Sequence, residues 1–410
     1  MIIGIDASRA NRSFKTGTEW YSYYLITNLI EIDKENKYIL YTDQPLNGAF
    51  LFDLNLSKNT NVEIKVLKWP FKNLWTLGRL TLEMIFNRPD VLFIPAHTLP
   101  LVFPKKTIST IHDVAFIKND NLYNQNVVNN NIVDKNFSDH HKIFNFFVKL
   151  FSFGRYNFRF TDYINWSTKF VLKRAEKIIA VSHFTKNEII RNYKKVDANK
   201  IKVIYNGFAD NLYKKIDNEE EKRNVLKKYG ITNRFFLYIG RLEKKKNVQC
   251  LVEAFSILKE NNKNLSEKLV LIGNPGFGYD EIKYLMEELC IYNDIITLGW
   301  VEEKDLPYFV SEAEAFVFPS FYEGFGIPII QAMACETPVL LSNIEVFHEI
   351  AENSALFFDQ FNPNDLADKM AMILNNEELR RELIAKGKKL SSNFSWRKCA
   401  IETLKELNSL

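Results

Sequence analysis

Short apolar runs alternate with amphipathic stretches along the whole chain. In the first half the runs at 2–6, 38–42, 62–67, 91–95, 107–111, 177–181 and 202–205 read as strands. In the second half the runs at 235–239, 269–272, 295–298, 315–318, 339–341 and 356–358 do the same. Several are continuously apolar, as parallel strands covered on both faces must be. Between many of them apolar residues recur at helical spacing; Val248, Leu251, Val252, Phe255 and Leu258 share one face. The alternation predicts an α/β chain of two doubly wound, Rossmann-like domains in tandem. The hinge is expected after Asn206-Gly207, with the charge-dense stretch 217–228 as a polar boundary. Two such domains facing each other would leave a cleft at the carboxyl ends of both sheets, where ligands of this architecture bind. The expected division is 1–208, 209–390 and a C-terminal helix in 391–410 that packs back on the first domain.

One segment breaks the rhythm. Some sixty residues after His112 carry no clear strand, so an insertion is expected at about 118–166. Its first part is Asn-rich. Its second part interleaves aromatic residues with Lys142, Lys149, Arg155 and Arg159, and places Phe144, Phe147, Val148 and Phe151 on one helical face. Three readings stand: helices packed on their own domain, a surface for anionic lipid or a lipid-linked acceptor, or a stacking surface for single-stranded nucleic acid. The first is favoured.

Length supports two domains, since 410 residues exceed one ordinary core. A formal net charge of +4 is too small to argue for nucleic acid. Cys250, Cys290, Cys335 and Cys399 lack paired metal-ligand spacing and read as buried small hydrophobes in a reducing compartment. The start, Met1-Ile2-Ile3-Gly4-Ile5-Asp6, has no basic leader and reads as a strand. No apolar run is long enough to span a bilayer. A cytoplasmic protein is expected, with peripheral contact to the inner face of a membrane left open.

Two stretches carry candidate chemistry. After the run 235–239 come Gly240, Arg241, three lysines ending in Lys246, and then a helix. At a strand's carboxyl end, Arg241 and Lys246 would converge on an anion beside a helix N-terminus. After the run 315–318 comes Ser320-Phe321-Tyr322-Glu323-Gly324-Phe325-Gly326-Ile327-Pro328. There the glycines allow close backbone approach, Pro328 suits a first helical turn, and Glu323 would accept hydrogen bonds from sugar hydroxyls. A purely structural turn accounts for the glycines but not for the carboxylate. The sequence has no Asp-x-Asp pair, so the charge of a departing diphosphate falls to Arg241, Lys246 and helix dipoles, and no metal is expected. No Gly-x-Gly-x-x-Gly follows the first strand, which argues against a dinucleotide oxidoreductase. In the first half, His112-Asp113 ends a strand on the expected cleft side, a setting none of the other five histidines matches in sequence. Gly17-Thr18-Glu19 opens a helix at 20–30 that would face a diphosphate from the opposite wall.

In order and spacing these motifs resemble glycosyltransferase family 4, retaining enzymes of the GT-B fold. The resemblance covers nearly the whole chain. It runs from Gly17 through Ile111-His112-Asp113, Val181-Ser182-His183-Phe184-Thr185 and Val203-Ile204-Tyr205-Asn206-Gly207. It continues through Gly240-Arg241, Lys246-Asn247, the block 318–338, Ala355-Leu356-Phe357-Phe358-Asp359 and Phe394-Ser395-Trp396. The resemblance implies an acceptor-binding first domain and a donor-binding second one. Arg241 and Lys246 would neutralise the donor diphosphate and Glu323 would hold the sugar. The segment Gly324-Phe325-Gly326, through the amides of Phe325 and Gly326, and Gly240 would line the donor. His112 would lie beside the transferred sugar and Gly17 near the phosphates. Where the family has a second Glu facing the ribose, this chain has Gln331, which forgoes a charge-assisted bond. Where it has a Gly after that helix, this chain has Glu336, expected to be a harmless change.

The activity implied is front-face, retaining, metal-independent transfer of a mannose- or glucose-type hexose. The donor would be a GDP-, UDP- or ADP-sugar. The acceptor would be a saccharide or lipid-linked saccharide in surface polysaccharide synthesis. Two alternatives are carried: a non-catalytic nucleotide-sugar-binding partner of another transferase, which Gln331 keeps open, and a nucleotide-sugar epimerase, for which acid and base groups are lacking.

Overall fold

The computed structural model describes residues 1–70, 75–117 and 160–410. The chain forms two compact units: Met1–Val181, Thr185–Ile204 and Ala400–Leu410 make the first, and Ser182–Phe184 and Tyr205–Cys399 the second.

The first unit is built on seven parallel strands: β1 Ile2–Asp6, β2 Lys37–Thr42, β3 Val62–Val66, β4 Val91–Ile94, β5 Thr107–Ile111, β6 Lys177–Ala180 and β7 Ile201–Val203. Their order is β3-β2-β1-β4-β5-β6-β7, so the direction of winding reverses between β1 and β4. The central strands β4 and β5 are buried at every residue. Leu92, Ile94 and Ile111 pack there with Val171 of the helix Phe160–Arg174. Each such side chain contributes about 1.5–3 kcal/mol on burial. The helix Gly17–Ile32 follows β1, and its start is fixed by Glu19, whose carboxylate accepts from the Thr16 amide at 3.1 Å.

The second unit holds six parallel strands: β8 Phe235–Ile239, β9 Lys268–Ile272, β10 Ile295–Gly299, β11 Ala315–Phe318, β12 Val339–Ser342 and β13 Ala355–Phe358. Their order, β10-β9-β8-β11-β12-β13, reverses between β8 and β11. Val248, Leu251, Val252, Phe255 and Leu258 are all buried on the helix Val248–Asn261, as their spacing predicts.

All thirteen expected strands are present, with ends moved by a residue or two. The strand before Glu323 stops at Phe318, as its apolar run predicts. The stretch expected as a polar boundary is largely the helix Glu219–Lys228. Asn218 caps it by accepting from the Glu221 amide at 3.1 Å, acidic residues fill its first turn, and lysines fill its last. Of the cysteines, Cys250, Cys335 and Cys399 are buried, but Cys290 is exposed, at a positive φ of 54°. The aromatic and basic positions from Lys142 to Arg159 lie outside the described residues. Where the insertion is described, Trp166 stacks on Phe170 within the first unit, with ring centroids 5.6 Å apart.

Candidate functional site

The winding of the second unit brings the two chemically marked loops together, because β8 and β11 are neighbours at the reversal point. Ligands of such sheets bind at that point. The three lysines after β8 form one 3-10 turn and have three different fates. Lys244 reaches Glu281 at 3.3 Å. Lys245 is buried, lies 5.9 Å from the centroid of the Tyr322 ring, and its carbonyl accepts from the Phe321 amide at 3.1 Å. Lys246 forms an ion pair with Glu323, and its ammonium lies 5.3 Å from the Phe318 ring centroid. The side chains of Lys246 and Glu323 are 18% and 12% exposed, so the pair is largely shielded from water yet reachable.

Ser320 Oγ donates to the same Oε1 of Glu323 at 2.8 Å. That oxygen is thus committed to Lys246 and Ser320. Arg241 is not drawn into this pair. Its side chain is 55% exposed and its guanidinium lies 3.7 Å from Glu243. Its backbone is nevertheless fixed, since Tyr238 Oη donates to the Arg241 carbonyl at 2.9 Å.

The Glu323 loop is braced by the segment Ser182–Phe184. Ser182 Oγ donates to the Gly324 carbonyl at 2.7 Å, and the Phe184 ring lies 5.3 Å from Tyr322. The Phe325 side chain is buried against Phe394. Gly326, at φ 106°, starts the helix Ile327–Ala334 with Pro328 in its first turn. Gln331 is half-buried on that helix. Glu336 occupies a left-handed backbone (φ 60°), which explains why glycine suits the position. It is tied to Lys388 at 2.6 Å, and that ammonium holds its carboxyl below the usual range.

The sequence did not single out Gly273, which follows β9 beside Gly240, or Gly299, which ends β10. A Cβ on Gly273 would stand 1.9 Å from the Gly240 carbonyl oxygen. The Gly273 amide donates to the Gly299 carbonyl at 2.8 Å. Small residues therefore keep this sheet edge low beside Arg241.

In the first unit a second polar group gathers at the carboxyl ends of β1, β4 and β5. His112 Nε2 donates to the Pro95 carbonyl at 3.0 Å; a carbonyl only accepts, so that nitrogen carries the hydrogen. The His112 ring stands edge-on to Tyr21 at 4.7 Å. Burial lowers the pKa of His112, with Arg9 acting in the same sense. His97, which the sequence reading passed over, lies in the same group: burial first, then Arg9 and His112, push it down to about 4. Arg9 pairs with Glu19 at 3.5 Å. Asp6, at the end of β1, is raised by burial although Ser8 and Thr76 both donate to it. Gly17 begins its helix beside open space, for a Cβ there would meet nothing within 4 Å.

Comparison with known proteins agrees with this architecture. The family model "Glycosyl transferases group 1" matches residues 217–390. The model "Glycosyltransferase Family 4" matches residues 17–211. The O-antigen chain mannosyltransferase B of Escherichia coli is 32% identical over 236 residues, 57% of this chain and 60% of the relative. The O-antigen chain mannosyltransferase RfbU of Salmonella typhimurium is 28% identical over 385 residues, 92% of this chain and 91% of the relative. This chain spans about three fifths of the length of two curated relatives it matches, 60% and 62%. Among solved structures, HepE of Anabaena in complex with UDP and glucose superposes with a TM-score of 0.68 at 17% identity, over 100% of this chain and 99% of that one. At that identity the likeness is one of fold: two Rossmann-like units of the GT-B type. With one model matched to each of its halves, the chain belongs to the group 1 glycosyltransferases, family 4.

Proposed function

We propose that the protein is a retaining, metal-independent hexosyltransferase. It would move a mannose- or glucose-type sugar from a nucleotide-diphosphate donor to a saccharide or lipid-linked acceptor in surface polysaccharide synthesis, on the cytoplasmic side. The observation that carries this reading is the shielded Lys246–Glu323 pair at the reversal point between β8 and β11. It sets a cation for phosphate beside a carboxylate for hydroxyls. The O-antigen mannosyltransferases among the relatives favour mannose. A solved fold neighbour binds UDP and glucose, so the base is not fixed by likeness.

In this reading Lys246 and Arg241 neutralise the leaving diphosphate, whose charge grows as the glycosidic bond loosens. Glu323 holds the donor sugar, and the Phe325 and Gly326 amides approach it from the start of the helix Ile327–Ala334. Gln331 faces the ribose. In the first unit, which would bind the acceptor, His112 lies beside the transferred sugar and Gly17 near the phosphates. The leaving phosphate oxygen takes the acceptor proton, so no side-chain nucleophile is required. Among the described residues no helix is long and apolar enough to cross a membrane.

The test is a panel of GDP-, UDP- and ADP-sugars screened for thermal stabilisation, followed by donor hydrolysis without acceptor. A donor bound at 100 times its Kd adds about 2.7 kcal/mol. Stabilisation by one donor with slow release of its nucleotide diphosphate supports the transferase. Binding without release supports the non-catalytic partner, for which Gln331 is the relevant observation. No stabilisation by any donor overturns both.

A further inference from the structure

We propose that His97 positions the acceptor saccharide by bonding one of its non-reacting hydroxyls, an inference that rests on the transferase reading above. His97 follows β4, the strand on which the first sheet reverses. Three consecutive carbonyls of its turn are each held by a side chain. Pro95 accepts from His112 Nε2 at 3.0 Å, Ala96 from Ser109 Oγ at 2.6 Å, and His97 itself from Ser167 Oγ at 2.8 Å. These donors come from β5, from the residue after it, and from the helix Phe160–Arg174. The backbone under the imidazole is therefore fixed from two elements, as a site needs.

One nitrogen of the ring is unpaired. Nδ1 of His97 is buried and has no hydrogen-bond partner among the described residues. Buried polar atoms are normally satisfied, so this exception calls for a partner, and a ligand hydroxyl can supply it. The neighbours decide which ligand. Arg9, whose charge acts on His97, is already paired with Glu19, and Asp113 acts on the ring with opposite sign to Arg9. A free anion would meet Asp113 there, whereas an uncharged hydroxyl both donates and accepts. The imidazole stays neutral at ordinary pH, and with so low a basicity it orients a hydroxyl and takes no proton.

The experiment compares wild type, His97→Ala and His97→Asn in the full chain, with octyl α-mannoside and octyl α-glucoside as acceptor probes. Losing one such bond should raise the acceptor KM about tenfold in His97→Ala, with donor hydrolysis within about twofold of wild type. His97→Asn, which keeps a polar atom near the place of Nδ1, should recover most of the loss. The proposal is overturned if acceptor KM is unchanged, if donor hydrolysis falls in step with transfer, or if His97→Asn behaves as His97→Ala. A wild-type protein that hydrolyses no donor overturns the transferase reading, and this proposal with it.

Discussion

Lys246 and Glu323, 77 residues apart, form an ion pair across the two loops where the second sheet reverses. The pair makes each residue the other's positioning device before any ligand arrives. Lys246→Ala is therefore expected to lose transition-state charge neutralisation and to release Glu323, lowering kcat about 100-fold or more. Arg241→Ala should cost a similar factor with no change in Tm, since its side chain is half-exposed. Steady-state kinetics with melting curves check both; unchanged kcat in the two variants would refute the site.

Two glycines separate structure from function. Gly273→Ala should lower Tm markedly, because φ is 146° and the new Cβ would fall 1.9 Å from a backbone oxygen. Gly17→Ala meets open space and should leave Tm within a degree or two. If phosphate approaches there, donor affinity still falls. Melting curves with and without donor distinguish the two, and loss of Tm in Gly17→Ala would count against the functional role.

Gln331→Glu tests the nucleoside end. A carboxylate on that half-buried helical position would give a ribose hydroxyl a charge-assisted bond, roughly twice as strong as a neutral one. Nucleoside diphosphate is expected to bind several-fold tighter by calorimetry. Equal affinity would mean that Gln331 does not face the ribose.

Acid should destabilise the fold through two half-buried histidines. His97 titrates near 4 when folded and near 6.5 when unfolded, so between those values the unfolded chain holds the extra proton. Stability is full above about 6.5 and falls by up to roughly 1.4 kcal/mol per pH unit as pH drops towards 4. His112, lowered in the same direction, adds to it. His97→Gln should flatten the decline in urea-melt stability between pH 6.5 and 5; an unaltered slope would show that His97 does not carry it.

The strands and both donor loops were legible because they rest on local pattern: apolar runs such as 235–239 and 315–318, each followed by its charged or glycine-rich turn. Which loops meet is a matter of strand order, and that requires the sheet. His97 was missed because its importance comes from Ser109, His112 and Ser167, up to 70 residues away. The stretch 217–228 reads in sequence as a polar boundary and not as the helix Glu219–Lys228, because its charge hides two buried positions, Lys222 and Leu226. Its Asn218 cap with acids first and lysines last was the available signal. Glu336 gave no sign in sequence of the left-handed turn it occupies.

The membership of residues Ala400–Leu410 in the first unit bears on how the protein is made. Lys177 on β6 bonds Glu406 and Ser409, and Asn36 bonds Asn408. During synthesis the first unit leaves the ribosome early but waits for these partners until the second has been translated. A chain cut between Ile204 and Tyr205 would strand Lys177 and Asn36 on a sheet still missing its last piece. The unit begun first is the one completed last.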